Sequence, residues 1–380
     1  MNDREPFIYI KQMYMKGFFD LEENCKEKII SEDYWDFIIP LYRDEELKEV
    51  NPENVCIQEM DFGYKSVSVD RRILLPLSFR EYWYSTIPKC YALLDMQPLD
   101  AAGIITLQNY PTLQLMGDGI MIGFLDTGID YQNRVFRNLD GTTRIVGIWD
   151  QTIQTGRTPQ GLYYGTEYTE EMINAALRSE DPLQIVPSVD TDGHGTFVAS
   201  AAAGGAEVGK RFLGAAPEAS IAMVKLKPAK NYLKEFFVIA QDAVCYQEND
   251  IMLGLRYLND LARKQGMPLV ICVALGTSFG GHNGDSLLAD ILDIYATVRN
   301  RCVVVGTGNE AARRHHYFNR FTDAQDMRTA EIRVGEGTQS FAVELWSTLP
   351  NIVMVSVTSP SGERTGMIPI RLGYLFDFLF

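Results

Sequence analysis

Asp126 follows an apolar run of strand length, and its position and residue type together suggest chemistry. The run Gly119–Leu125 is bounded by a glycine and is otherwise almost wholly apolar, which is typical of a strand buried on both faces. Burying a carboxylate at the end of such a strand is costly unless the group is hydrogen-bonded or paired. We therefore expect the Asp126 carboxylate to have a hydrogen-bonding or charged partner in the fold. An Asp that only caps the turn Thr127–Gly128 stays an open alternative at this point.

His194 is the candidate partner. It lies between Gly193 and Gly195 and opens a segment rich in Ala and other small residues, Thr196–Gly205. Small residues let a helix approach another backbone closely, and the flanking glycines allow a tight turn that presents the imidazole. A lone His is more often structural than catalytic. This His, at a predicted helix start downstream of Asp126, instead favours acid–base chemistry.

Together the two segments resemble the first two signature blocks of the subtilisin-like serine proteases, the subtilases. Asp126-Thr-Gly and His194-Gly-Thr-x-Val-Ala stand in the family's order, and Val303–Glu310 resembles the block whose Asn donates to the oxyanion. The resemblance covers residues 115–310 and is greatest to the clostridial-type subtilases related to the Csp germination proteases. It implies a serine endopeptidase with Asp126 and His194 in the triad and Asn309 at the oxyanion.

The segment Ala274-Leu275-Gly276 ends another apolar run and resembles the family segment that lines the primary specificity pocket. The resemblance implies that an extended peptide or protein substrate pairs with it as an added strand. It also implies a prodomain as an internal partner and no organic cofactor. Subtilases often bind calcium, but the ligand loops cannot be matched residue by residue here, so no metal-binding residue is assigned.

The nucleophile of the triad is not found. The family places it last, in a Gly-Thr-Ser-x-Ala block that opens a buried helix, and no such block follows Asn309. Ser278, in Gly276-Thr277-Ser278, is rejected because it precedes Asn309 and enters a glycine-rich loop rather than a helix. We therefore expect the chain to stop before the nucleophile segment.

Because no nucleophile block is found, two classes of function are considered. The first is a subtilisin-like serine endopeptidase whose serine segment lies outside these residues. The second is an inactive subtilase-fold pseudoprotease, or a module that binds a peptide or protein. A third class, a nucleotide-binding α/β protein, is disfavoured because no glycine-rich phosphate-binding motif follows a strand. A Gly-Thr-Ser-x-Ala segment further along the gene would separate the first two.

Composition disfavours several partners. The 380 residues carry a formal net charge of -15, whereas nucleic-acid binding needs a basic face, and no apolar run is long enough to span a membrane. The six cysteines show no CxxC spacing, so no zinc site is predicted. The first residues contain no signal-peptide pattern, which with free cysteines predicts synthesis in a reducing cytoplasm. The resemblance adds an association with spores.

Three regions are predicted. Residues 1–97 form a prodomain-like α+β region, by position and coarse composition, with a lineage-specific domain as the alternative. Residues 98–330 alternate between strand and helix patterns, including a helix over Leu233–Gln247, and Cys272 and Cys302 lie in apolar runs that suggest burial. This alternation predicts an α/β core with a mostly parallel sheet covered on both faces, the three-layer fold of subtilases. Residues 331–380, with strand character at Phe341–Trp346, resemble the start of a β-rich, jelly-roll-like insertion.

Overall fold

The computed structural model describes residues 25–40, 51–93, 104, 108, 115–207, 212–309, 313–338, 340–348 and 350–369. The first unit is a small antiparallel sheet with one short helix. Its elements are α1 (Cys25–Ile30), β1 (Tyr34–Pro40), β2 (Val55–Glu59) and β3 (Tyr64–Asp70), and the strands lie in the order β1-β3-β2.

Cys25 and Cys56 form a disulfide bond that joins α1 to β2. This corrects the expectation that all the cysteines are free. The spacing of the two residues in the sequence carries no pattern, and the pairing arises because α1 packs against the small sheet. The disulfide therefore closes a loop with a sequence separation of 31 residues within the N-terminal unit.

A six-stranded sheet forms the centre of the protein, and five of its neighbouring strands are parallel. The sixth strand pairs antiparallel at one edge. Every residue of the strand that ends at Asp126 is buried, as expected for a strand covered on both faces. In spatial order the strands are β12 (Arg301–Val305), β10 (Leu269–Val273), β5 (Met121–Asp126), β8 (Ser220–Lys225), β6 (Ile145–Asp150) and β7 (Thr166–Thr169).

Helices cover both faces of this sheet, which confirms the predicted three-layer α/β fold. The helices are α2 (Glu170–Arg178), α3 (His194–Ala203), α4 (Asn231–Phe236), α5 (Glu248–Gln265) and α6 (Leu287–Thr297). One apolar cluster joins α5 and α6 to the sheet through residues such as Leu125, Leu258 and Ile291. A second cluster joins α2 and α3 to the opposite face through residues such as Phe124 and Val198.

Two glycines allow α5 to lie close to β5. A Cβ atom on Gly123 of β5 would lie 2.8 Å from Leu258 Cδ1, and one on Gly254 of α5 would lie 2.3 Å from Leu125 Cδ2. Contacts this short leave no room for a methyl group at either position unless Leu258 or Leu125 shifts. The glycine inside the apolar run before Asp126 is thus explained by helix packing, which holds the strand in place.

Buried polar groups join the N-terminal sheet to the core. Asp36 Oδ2 lies 2.9 Å from Lys230 Nζ, and both side chains are almost fully buried. The same carboxylate accepts hydrogen bonds from Ser68 Oγ at 2.5 Å and from Gln247 Nε2 at 2.8 Å. An ion pair this deeply buried is tolerated only when further hydrogen bonds satisfy it. These contacts therefore fix how the small sheet sits on the core.

Two sequence predictions for the core are wrong. The helix predicted over Leu233–Gln247 ends with α4 at Phe236, since Val238 adopts a left-handed backbone (φ 58°), and Tyr246–Gln247 forms a short strand, β9. Cys302 is exposed rather than buried. It lies on β12, an edge strand of the described sheet, whose Val304 and Val305 are also about half exposed.

The described part of residues 313–369 contains little regular structure. Its strands are β13 (Met354–Val355) and β14 (Ile368–Pro369), which pair antiparallel. The predicted strand over Phe341–Trp346 is not formed among the described residues, because its backbone has no strand partner there and Phe341 and Trp346 are about half exposed. No helix in the described part of the chain is both long and apolar enough to cross a membrane.

Candidate active site

Asp126 and His194 are in direct contact. His194 Nδ1 lies 2.8 Å from Asp126 Oδ1 and 3.0 Å from Oδ2, although the residues come from different elements, the end of β5 and the start of α3. The Asp126 carboxylate is 1% exposed, whereas the imidazole is 15% exposed. The backbone N–H of Thr127 also donates to Asp126 Oδ1 at 2.7 Å. The buried carboxylate therefore has both the partner that the sequence predicted and a turn-capping bond.

The approach of α3 to the end of β5 depends on glycine. A Cβ atom on Gly195 would lie 2.2 Å from the carbonyl oxygen of Gly128 and 3.1 Å from Asp126 Cβ. Gly193, just before the helix, has a φ of 90°, a conformation that favours glycine. These two positions explain why glycine flanks the histidine on both sides.

Asp190 holds the same two turns together, and the sequence analysis assigned it no role. Its carboxylate accepts hydrogen bonds from Thr127 Oγ1 at 2.8 Å, from the backbone N–H of Gly193 at 2.9 Å, and from Thr196 N and Oγ1 at 2.8 and 2.6 Å. Thr127 Oγ1 in turn accepts from the backbone N–H of Gly195 at 2.9 Å. Asp190 lies four residues before the helix start, outside the N-cap position held by Gly193, so no local capping signal identifies it.

These hydrogen bonds also affect the protonation of Asp190. Burial alone would raise its pKa, but the bonds from Thr196, from the backbone N–H of Gly193 and from Thr127 outweigh burial and lower the pKa below its usual value. The carboxylate is therefore ionised over the neutral pH range. A fixed negative charge therefore lies at the start of α3, the helix that begins with His194.

The segment Ala274-Leu275-Gly276 pairs with another part of the same chain. Leu275 and Gly276 form a short strand, β11, which pairs antiparallel with β4 (Cys90–Leu93) in the register Leu275 to Leu93 and Gly276 to Ala92. On its other side β4 pairs with β9. An extended peptide from the N-terminal region thus lies between two core strands, while Ala274 is buried in the second apolar cluster.

Asn309 follows β12 at the same edge of the sheet as Asp126. The carboxyl ends of β5, β10 and β12 are adjacent because the three strands are parallel neighbours, and ligands of open α/β sheets bind at this edge. The backbone N–H of Gly306 donates to Val273 O at 3.1 Å, which extends the pairing towards Asn309. Asn309 itself is exposed.

Ser278 lies in the exposed loop after β11. Its backbone carbonyl oxygen is 3.2 Å from His282 Nε2, and the loop leads to α6 only after eight further residues. It therefore does not open a helix, in agreement with the sequence prediction. Among the described residues no group of three or more His, Cys, Asp or Glu side chains is placed to hold a metal ion.

The fold agrees with the comparisons to known proteins. The Subtilase family (Peptidase_S8) matches residues 117–364, which is more than half of the chain, and the protein belongs to this family. Among solved structures, the CspB protease of Clostridium perfringens is similar, at 33% identity over 70% of this chain with a TM-score of 0.56. This chain spans 52% of the length of that protein.

A structure titled S41 psychrophilic protease matches more weakly, at 23% identity over 53% of this chain and 50% of its own, with a TM-score of 0.32. No curated protein matches the chain. The family match and the CspB likeness agree with the predicted clostridial-type subtilase.

Proposed function

We propose that this chain carries the Asp and His of a subtilisin-like serine endopeptidase, together with an N-terminal region that occupies its substrate cleft. The observation that carries the proposal is the contact of His194 Nδ1 with the buried Asp126 carboxylate, at 2.8 and 3.0 Å. In this arrangement Nδ1–H donates to the carboxylate, which leaves Nε2 unprotonated and able to accept a proton.

The chemistry assigns one task to each residue. His194 takes the proton of a serine hydroxyl as it attacks the substrate carbonyl, and later gives that proton to the leaving amine. Asp126 holds the required tautomer and stabilises the imidazolium that forms. The Asn309 side chain donates to the oxyanion of the tetrahedral intermediate, a contact worth about 10²- to 10³-fold in kcat.

The serine comes from polypeptide that is not among these 380 residues. Support for this comes from the sequence, where no Gly-Thr-Ser-x-Ala block follows Asn309, and from the length of the CspB protease, of which this chain spans about half. Ser278 is not the nucleophile, because its loop does not present it at a helix start.

Substrate binds beside Ala274–Gly276 as an added strand. The pairing of β4 with β11 and β9 supports this, because it shows that β11 can accept an extended peptide segment as a neighbouring strand. Residues 1–97 then act as a prodomain that blocks the cleft. Residues 98–330 form the core, and residues 331–380 begin the β-rich insertion.

A pseudoprotease is the second candidate function. It is favoured by the same missing serine block, since a cleft that binds an extended peptide without a nucleophile would be a peptide-binding module. The two candidates differ in turnover and not in peptide binding.

A fluorophosphonate probe tests the assignment. The 380-residue chain should remain unlabelled, whereas the longest polypeptide encoded by the same reading frame should be labelled at a serine after Asn309 and should hydrolyse a protein substrate. Labelling of Ser278 that is lost in His194→Ala would overturn the assignment of the nucleophile. A longer polypeptide that binds peptides but neither labels nor turns over would establish the pseudoprotease.

A further inference from the structure

Two buried thiols lie on neighbouring segments where β4 meets the core. Cys90 begins β4 and pairs with Gln247 of β9, and Cys245 lies two residues before that partner. Side chains two residues apart on a strand point to the same side. Both cysteines are 5% exposed and belong to the same apolar cluster.

The two thiols lie within hydrogen-bonding reach of each other. Their contact and burial raise the pKa of Cys90, whereas the pKa of Cys245 is lowered, first by the contact with Cys90 and then, against the effect of burial, by the nearby cation of Lys234. A lowered pKa raises the fraction of Cys245 present as thiolate, the form that attacks a disulfide.

We propose that Cys90 and Cys245 form a reversible disulfide that fastens the β4 segment between β9 and β11. A single covalent bond between these residues would join the N-terminal region to a strand of the core, because β4 pairs with β9. The consequence for the cleft rests on the proposed function, but the bond itself does not.

The reaction needs a low-molecular-weight disulfide as oxidant. The Cys245 thiolate attacks one sulfur of the oxidant, forming a mixed disulfide and releasing one thiolate. The Cys90 sulfur then loses its proton and attacks the Cys245 sulfur, which forms the protein disulfide and releases the second thiolate. Two protein thiols and one small disulfide thus give one protein disulfide and two small thiols, and excess reductant reverses the reaction.

The four remaining cysteines do not compete for this bond in the folded chain. Cys25 and Cys56 are already joined to each other within the N-terminal unit. Cys272 lies on β10 and Cys302 is exposed on β12, both on the central sheet rather than beside β4.

The bond can be tested without any enzymatic activity. A recognition sequence for a site-specific protease is inserted between residues 97 and 98 of the full chain, and the folded protein is equilibrated with oxidised glutathione, alkylated and cut. In denaturant without reductant, fragment 1–97 should stay attached to the remainder, and reductant should release it. The Cys25–Cys56 disulfide cannot cause attachment because both residues lie in fragment 1–97.

Matched variants identify the bond. Cys90→Ala and Cys245→Ala should each lose the attachment, whereas Cys302→Ala should keep it, and peptide mapping of the unmutated protein should recover a Cys90–Cys245 peptide. No attachment in the folded unmutated protein, or attachment that maps to Cys272 or Cys302, would overturn the proposal. The proposed function fails on a different result, namely absence of turnover in the longer polypeptide after fragment 1–97 has been released.

Discussion

The hydroxyl of Thr127 donates a 2.8 Å hydrogen bond to the carboxylate of Asp190, although 63 residues separate them in the chain. This bond joins the turn after β5, which carries Asp126, to the turn before α3, which carries His194. Asp190 therefore links the two turns that bring Asp126 and His194 together. Asp190 acts as a positioning residue for the pair.

Substitution of Asp190 by Asn should lower kcat while KM changes little. An amide cannot accept all the hydrogen bonds that the carboxylate accepts, and a displacement of the imidazole by about 1 Å costs about 10²-fold in rate. Steady-state kinetics of the longer, active polypeptide measure this. Asp140→Asn is a matched control, since Asp140 also accepts from a Thr side chain and backbone, but in an exposed turn elsewhere. An equal loss in both variants would contradict the positioning role.

The same substitution should change how stability depends on pH. The pKa of Asp190 is lowered in the folded state, so its contribution to the free energy of unfolding is complete above the unfolded pKa of about 3.9 and is lost as pH falls through the folded value. Urea unfolding at a series of pH values should show the largest difference between the unmutated protein and Asp190→Asn above about pH 5, with the difference shrinking below about pH 4. A difference independent of pH would indicate that the charge of Asp190 is not involved.

Replacement of Asp126 by Asn should lower kcat by about 10⁴-fold with the fold retained, because the amide no longer holds the required tautomer of His194. The measurement is turnover of a protein substrate by the longer polypeptide, with circular dichroism as the check on folding. Asp130→Asn, four residues further along on an exposed turn, is the control. Unchanged turnover in Asp126→Asn would remove this residue from the triad.

Gly195→Ala should destabilise the protein and separate the two turns. The new methyl group would meet the Gly128 carbonyl oxygen at 2.2 Å, and overpacking of this kind costs about 1–3 kcal/mol or more. Gly366→Ala is a suitable control, since its methyl group would meet nothing within 4 Å. Urea unfolding gives the free energies. An unfolding free energy unchanged by Gly195→Ala would show that α3 is not held against Gly128 in solution.

Replacing one residue of the buried pair Asp36–Lys230 should lower the free energy of unfolding more than replacing both. Asp36→Leu leaves the Lys230 cation buried without its partner, which costs about 3–5 kcal/mol, and the Asp36→Leu/Lys230→Met double variant should recover most of that loss. Urea unfolding of Asp36→Leu, Lys230→Met and the double variant measures the three losses. Additive losses in the double variant would mean that the two charges do not interact across the interface.

The sequence predicted the parts of the site that are encoded locally. Asp126 and His194 each stand in a short motif with a strand or helix pattern beside it, so their elements could be placed and their contact expected. The sheet and its helices were predictable for the same reason, since apolar runs and helical spacing alternate along residues 121–305.

The parts that the sequence did not predict depend on contacts between distant segments. The pairing of Cys90–Leu93 with two core strands, the end of the helix at Phe236, and the Cys25–Cys56 disulfide all arise from tertiary packing, which overrides the local pattern at Tyr246 and Gln247. The role of Asp190 also depends on such a contact, since it accepts from Thr127, which is 63 residues away in the chain.

The strand order of the central sheet determines when each strand can find its neighbours during synthesis. β5 lies between β8 and β10, and at about 5–20 residues per second the roughly 150 residues from the end of β5 to the end of β10 take about 8 to 30 s to emerge from the ribosome. During that interval the edge of β5 that faces β10 has no neighbour, and the edge that faces β8 has none until Lys225 has been made. Open apolar strands of this kind invite aggregation. β1, β2 and β3 are complete by residue 70, and among the described strands they pair with each other alone. The nascent chain therefore forms its small N-terminal sheet well before the strand that carries Asp126 can be enclosed.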